Sequence, residues 1–367
     1  MLSIFNLIMA DRYRRFLVSC VAVAVALVVA GALIALLGYN PVTAYIMMAQ
    51  GAFGSAYAFS VTAVRSAPLL IIGLGFLIGY RAGLFNVGGE GQLYVGATGA
   101  TLVGLVPIHV PAIIHLPLAL LASFVFGALW AAIPAYLRAY HKVNEIVTTL
   151  MFNYLGYHLV SYLINADNGP LFEEGAAFAQ SPPIAKSAEL PILLTGTSLH
   201  LGVLFAVVLA VGTYVAIGYT AWGFTLRMIG RSLKTARYAG VNYQRQIFGA
   251  ILIGGGMGGL AGGCEILGLR HHLYQGLSPG YGYDAVAVVL LANGNALGTI
   301  VASIFFGALR SGGNLMQQTI GLDVSVVFII QALIILFLLG GIALKFQPRK
   351  FQPPHRVHTP KVLKNHA

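Results

Sequence analysis

Glu90 lies in Gly83-Leu-Phe-Asn-Val-Gly-Gly-Glu-Gly-Gln92, a segment that interrupts an otherwise apolar stretch from Pro68 to Val106. A carboxyl group in apolar surroundings is a functional candidate by default, because charge is costly to hold away from water. Two roles fit it: a proton-relay carboxylate, or an acceptor for the backbone amides of a glycine-rich turn. A relay needs further carboxylates in reach. Of the others, Glu145 and Glu265 fall near the ends of apolar runs, and Asp284, beside Tyr281 and Tyr283, is expected at an outer interface. The segment's four glycines disfavour a regular helix. Irregular backbone at membrane depth is tolerated only where protein or water covers it. Asn86, Glu90 and Gln92 of this break, with Asn153, Asn293 and Asn295 elsewhere in apolar surroundings, are the candidate polar lining of a protein interior or cavity.

Little other chemistry is legible. No G-x-x-x-x-G-K-[ST] phosphate loop is present, so any ATP must be hydrolysed elsewhere. Cys20 and Cys264 sit in separate apolar runs and suit packing. His355, His358 and His366 have no metal-ligand spacing. The chain is expected to bind no metal and no cofactor.

The elements that hold these residues are membrane helices. Of 367 residues, 58% are hydrophobic and 8% charged, against roughly 25% charged in a soluble domain. With roughly 20 residues per span, the reading is an all-α integral membrane protein of about ten transmembrane helices. They are placed at about 16–38, 66–81, 88–107, 116–137, 143–165, 199–219, 246–268, 282–293, 296–314 and 324–343. The run Phe16–Leu37 exceeds a signal-peptide core of about 7–15 residues and reads as a retained first helix. The net charge of +11 lies between apolar runs and marks loops, not a nucleic-acid partner. Arg12, Arg14, Arg15, Arg81, Arg138, Lys142, the stretch from Arg227 to Arg245 and the tail share one side. The loop 166–198, with Asp167, Glu173, Glu174 and Glu189 against Lys186, takes the other. The positive-inside rule makes both termini cytoplasmic. Residues 1–343 form one transmembrane domain, and 344–367 a solvated cytoplasmic tail. Arg65, Arg270 and Arg310 fall near outer span ends and serve either as snorkelling anchors or as docking contacts. A second break, Ala292–Gly298, shares the layout of the first, and two such segments are expected to be broken or re-entrant. Seven glycines between Gly254 and Gly263 imply tight helix crossing.

The stretch from Trp222 to Arg245 carries five basic residues and no acidic one. Ser232 suits the N-cap of a short helix through Ala236 and Ala239, and Gly240 its end. Leu233, Ala236, Tyr238 and Val241 give it an apolar side. Such a helix either enters a groove on a partner or lies on lipid. The pattern G-F-T-L-R-M-I-G through A-R-Y-A-G-V resembles the coupling loop of the membrane subunits of ATP-binding-cassette importers. GLFNVGGEGQ (83–92), VNEIVTTLMFNY (143–154) and YGYDAVAVVLLANGN (281–295) narrow the resemblance to the ribose, branched-chain amino acid and nucleoside branch. It is nearest there to nucleoside permeases of the simple-sugar type. The resemblance implies a non-enzymatic permease in a bacterial inner membrane. A separate ATPase would grip loop 222–243 through Arg227, Gly230, Ser232, Ala236, Arg237, Tyr238, Ala239 and Gly240. A second permease, an external substrate-binding lipoprotein and membrane lipid complete the implied partners. Simple sugars, amino acids and ion-coupled transport are the alternatives.

Overall fold

The computed structural model describes residues 2–106, 111–165 and 169–345. The tail from 346 onward, Asp167 and the side chains of Arg12, Arg14 and Arg15 lie outside the described residues. Thirteen α-helices stand among the described residues. They are α1 (Leu2–Leu36), α2 (Pro41–Phe53), α3 (Ala56–Arg81), α4 (Gly89–Gly104), α5 (Ala112–His141), α6 (Glu145–Leu163), α7 (Leu201–Tyr219), α8 (Ala221–Arg231), α9 (Leu233–Tyr238), α10 (Tyr243–Glu265), α11 (Tyr281–Leu291), α12 (Ala296–Ile320) and α13 (Ser325–Lys345). A π-helical turn, Ile266–Arg270, extends α10. A helix stands at each of the ten expected spans. Six are long and apolar enough to cross a bilayer by themselves: Leu17–Leu36 of α1, α3, α5, α7, α10 with its π turn, and α12.

Two helices differ from expectation. α2 was not expected; Asn40 caps it, accepting from Val42 and Thr43, and Pro41 opens it. Its 13 residues give about 20 Å, too short to span. The loop expected to carry one short helix carries two, α8 and α9.

The core is built on α3 and α10, whose spans are mostly buried, whereas α1, α5 and α7 present apolar side chains outward. The glycine cluster of α10 permits this by admitting three neighbours to its backbone. A Cβ on Gly96 of α4 would sit 2.1 Å from Gly259 Cα. One on Gly127 of α5 would sit 2.4 Å from Gly255 O, and one on Gly75 of α3 2.6 Å from Gly254 O. No side chain fits at such contacts, so the small residues set the helix separation.

Residues 169–200 form a packed cap. Ser181, Ile184 and Leu190 donate backbone N–H groups to the carbonyls of Leu273 (2.8 Å), His271 (3.0 Å) and Leu267 (2.7 Å). Buried His200 caps α7, its Nδ1 accepting from Gly202 N at 3.2 Å. Burial, with His271 nearby, pushes its imidazole pKa down to about 4. Only the neutral ring can accept this bond.

Two outcomes follow from this packing. Gly259→Val is expected to lower stability by about 1–3 kcal/mol or to abolish folding. Gly249→Ala, which meets nothing within 4 Å, is expected to be harmless; thermal unfolding of detergent-purified protein distinguishes the two. The unfolded chain protonates His200 near pH 6.5, the folded one only near pH 4. His200 is therefore neutral in both states above pH 7 and penalises folding as pH falls from about 7 to 4. His200→Asn, which retains a capping oxygen, should flatten the fall in melting temperature across that range.

Candidate functional site

Gly83 (φ +78°) ends α3, with Leu84 N donating to Gly79 O at 3.0 Å. The chain then leaves helical geometry until Gly89. There a Cβ would meet Ile72 of α3 at 2.6 Å. Ile72 lies nine residues from the end of α3 at Arg81, about 13 Å deeper. Segment 82–88 therefore climbs, non-helical, to roughly the middle of the bundle, where α4 starts.

A matching entry comes from the opposite side. After His271 (φ +60°) the chain runs irregularly through Gly276 (φ +80°) and Gly280 (φ +96°) before α11 begins. α11 has 11 residues, about 16 Å, half of a core of about 30 Å. This segment, 271–280, is the true counterpart of the first break. Ala292–Gly298 is instead a tight turn between α11 and α12, with Asn293 (φ +53°) and Gly294 (φ +67°) left-handed and Asn295 capping α12. The expectation erred because its Asn/Gly composition suits a turn at either depth.

The N-termini of α4 and α11 meet at this depth. Glu90 Oε2 accepts the Gly282 N–H at 2.7 Å. A Cβ on Gly282 would lie 2.2 Å from Glu90 N. A carboxylate on a helix N-terminus is favourable for charge and for the orphan amide alike. Asn153 of α6 is the second fastening: Oδ1 accepts from Gly91 N (2.9 Å), and Nδ2 donates to Val87 O (2.9 Å) and Tyr283 Oη (3.3 Å). Asn86 Oδ1 accepts from Gly88 N (2.9 Å) and Gln92 Nε2 (3.4 Å). Glu145 Oε1 accepts from Phe85 N (3.2 Å), and its Oε2 lies 3.1 Å from Arg138 Nε.

Asn86, Glu90, Gln92 and Asn153 are thus brought together and buried. Asn293 and Asn295 stand apart at the far end of α11, where Asn293 donates to Ser19 Oγ at 2.9 Å. Arg310 is not at an outer end, and Asp284 is not at an interface. Arg310 Nη2 donates to Asp284 Oδ2 (2.6 Å) and Pro279 O (3.0 Å), and its Nε to Asp284 Oδ2 (3.2 Å). Its guanidinium lies 4.9 Å from the Tyr281 ring centroid, and Arg65 donates to its carbonyl at 3.1 Å. Charge and spacing could not reveal this pair, because 26 residues separate its members along the chain.

On the face carrying the basic stretch, Ser232 Oγ accepts from Thr235 N at 3.3 Å and caps α9. Ala236 is fully buried, whereas Tyr238 is 88% exposed and does not share its packed side. Arg237, Ala239 and Gly240 (φ +75°) are also exposed. Gly230 of α8 abuts the end of α3, since a Cβ there would sit 2.3 Å from Arg81 O. Arg227 lines a pocket of about 120 Å³ with Arg81 and Asn295.

Residues 57–339 match the family described as the permease component of the branched-chain amino acid transport system. The chain belongs to this family. It is 37% identical to the glucose ABC transporter permease protein TsgB13 of Haloferax volcanii, over 86% of this chain and 84% of that one. It is 35% identical to the guanosine ABC transporter permease protein NupP of Bacillus subtilis, over 92% and 97%. To the nucleoside ABC transporter permease protein NupB of Lactococcus lactis it is 26% identical, over 92% and 93%. No solved structure gives a significant match. The chain is a multi-pass membrane permease subunit of an ABC transporter. It works with an ATP-binding subunit that hydrolyses the nucleotide, and is not itself an enzyme.

Arg310→Met leaves Asp284 buried and unpaired and is expected to destabilise by about 3–5 kcal/mol. The double variant Asp284→Leu/Arg310→Met should recover most of this. Unfolding free energies of the unsubstituted chain, the two single variants and the double variant give the coupling energy.

Proposed function

We propose that this chain is the permease of an ATP-driven importer of nucleosides in a bacterial inner membrane. It would cross that membrane ten times, through α1, α3–α7 and α10–α13, with both termini cytoplasmic. In this reading, residues 1–343 form one domain, and 166–198 face an external binding lipoprotein that delivers cargo. A second permease completes the pathway, and the chain holds no cofactor. Nucleoside cargo is supported by the likeness to the guanosine and nucleoside permeases over nine-tenths of the chain.

The observation that carries the coupling reading is the surface of α8 and α9. Arg227, Arg231, Lys234 and Arg237 accompany the exposed rings of Phe224 and Tyr238, and no acidic residue intervenes. Exposed aromatics beside cations are what a partner's groove takes up. ATP binding would press on this pair, and Gly230 would carry the motion to the end of α3 and so to segment 82–88. Asn86, Glu90, Gln92 and Asn153 would fix the broken helices that frame the pathway, with Asn293 and Asn295 setting its cytoplasmic turn. The Arg81–Arg227 pocket suits the headgroup of an inner-leaflet lipid. Import of a simple sugar is the second reading, favoured by the identity to the glucose permease. Coupling to protons through Glu90 is disfavoured, because its carboxylate is engaged by Gly282.

Gly240→Leu and Ala236→Leu are expected to abolish ATP-dependent uptake in vesicles and to weaken co-purification of the ATPase, with the permease itself still folded. Uptake against a gradient by the permease alone, without an ATPase, would refute the reading.

A further inference from the structure

The outward side of α6 is wrong for lipid. Tyr154 follows Asn153 and so lies at the depth where α4 and α11 meet; it is 65% exposed. His158, one turn on, is also exposed, about 6 Å nearer the cap. Tyr283 of α11, 39% exposed, shares the hydroxyl bond from Asn153. Tyr157 is half-buried, its ring 5.5 Å from that of His158, and its hydroxyl accepts from exposed Gln275 Nε2 at 2.7 Å. Five polar-tipped side chains from three segments thus form one outward patch at membrane depth.

Hydrocarbon would leave their polar groups unsatisfied. Among the described residues the Tyr154 hydroxyl and both His158 ring nitrogens have no hydrogen-bond partner, so this capacity is open to something that arrives. Interfacial tyrosine belts belong at the head groups, not level with Asn153. A permanently covered protein contact would pair its buried polar groups, whereas this patch offers ring faces flanked by an imidazole without a hydrogen-bond partner among the described residues and by an amide. Such a set suits a flat heterocycle bearing hydroxyls, which stacks by its face and hydrogen-bonds at its edge.

We infer that Tyr154, His158, Gln275 and Tyr283 form the cargo-contacting wall of the pathway, and that they accept a nucleoside by ring stacking and edge hydrogen bonds. This rests on the import reading and assigns the contact to the exposed patch instead of to the buried set around Glu90. Asn153 is a positioning residue here, since it reaches the patch through Tyr283.

The test uses the complete transporter in liposomes: this chain, its ATPase, the second permease and the loaded binding protein. Initial uptake of tritiated adenosine, guanosine, uridine and glucose is measured. Tyr154→Leu and His158→Leu are each expected to reduce nucleoside uptake about tenfold, the effect of losing one stacking or edge contact. Assembly and basal ATP hydrolysis should be unchanged, and Tyr154→Phe, which keeps the ring, should retain most uptake. Native rates in both leucine variants would overturn the inference. So would failed assembly in Tyr154→Phe, which would make the face a protein contact. Glucose uptake with no nucleoside uptake would overturn the heterocycle assignment. If the native complex carried none of these solutes, the import reading would fall. Photolabelling with 8-azidoadenosine would still judge the patch, with label at 154–158, Gln275 or Tyr283 supporting it and label confined elsewhere overturning it.

Discussion

Backbone that is not helical must find its hydrogen bonds within the protein when it lies at membrane depth. The arrangement at the centre of this bundle follows from that constraint. Two chain segments enter from opposite sides, each giving up helical bonds for about half the thickness, and each is repaid by specific acceptors. Glu90 takes the amide at the start of α11, and Asn153 takes one amide and satisfies one carbonyl on the other segment. These bonds give Glu90 a structural occupation, so the carboxylate most suggestive of proton transfer is a fastening between two half-helices.

Close approach of backbones makes that fastening possible. Gly282 must lie against Glu90, and Gly91 against Phe152 and Asn153; a Cβ on Gly91 would meet Phe152 O at 2.5 Å. The same device holds α10 to three neighbours. In an apolar solvent, helix association draws on contact and small residues instead of on exclusion of water. The glycines are therefore the structural counterpart of a soluble protein's apolar core.

Much of this was legible in the sequence. Apolar runs located helices at ten places, the glycine cluster in α10 announced close packing, and Ser232 marked the start of α9. The break at Gly83–Gln92 was visible because a carboxylate and glycines intrude on an apolar run. Its counterpart was hidden because residues 271–280 look like an ordinary loop after an apolar run, and depth leaves no trace in composition. The Asp284–Arg310 pair escaped because it joins distant helices, and Arg310 lies near enough to a run's end to resemble a snorkelling anchor. α2 was overlooked for want of length, though Asn40-Pro41 is a clear start signal.

The contact between Gly230 and the last turn of α3 has a mechanical meaning. With no side chain between them, α8 and the end of α3 lie backbone to backbone, and a Cβ on Gly83 would sit 3.5 Å from Gly230 Cα. Such a joint has no compressible padding. Under the proposed coupling, a push on α8 would reach the root of the climbing segment, at whose tip Glu90 accepts the Gly282 amide. In that proposal, the joint would serve as a stiff push-rod from the basic face to the middle of the bundle.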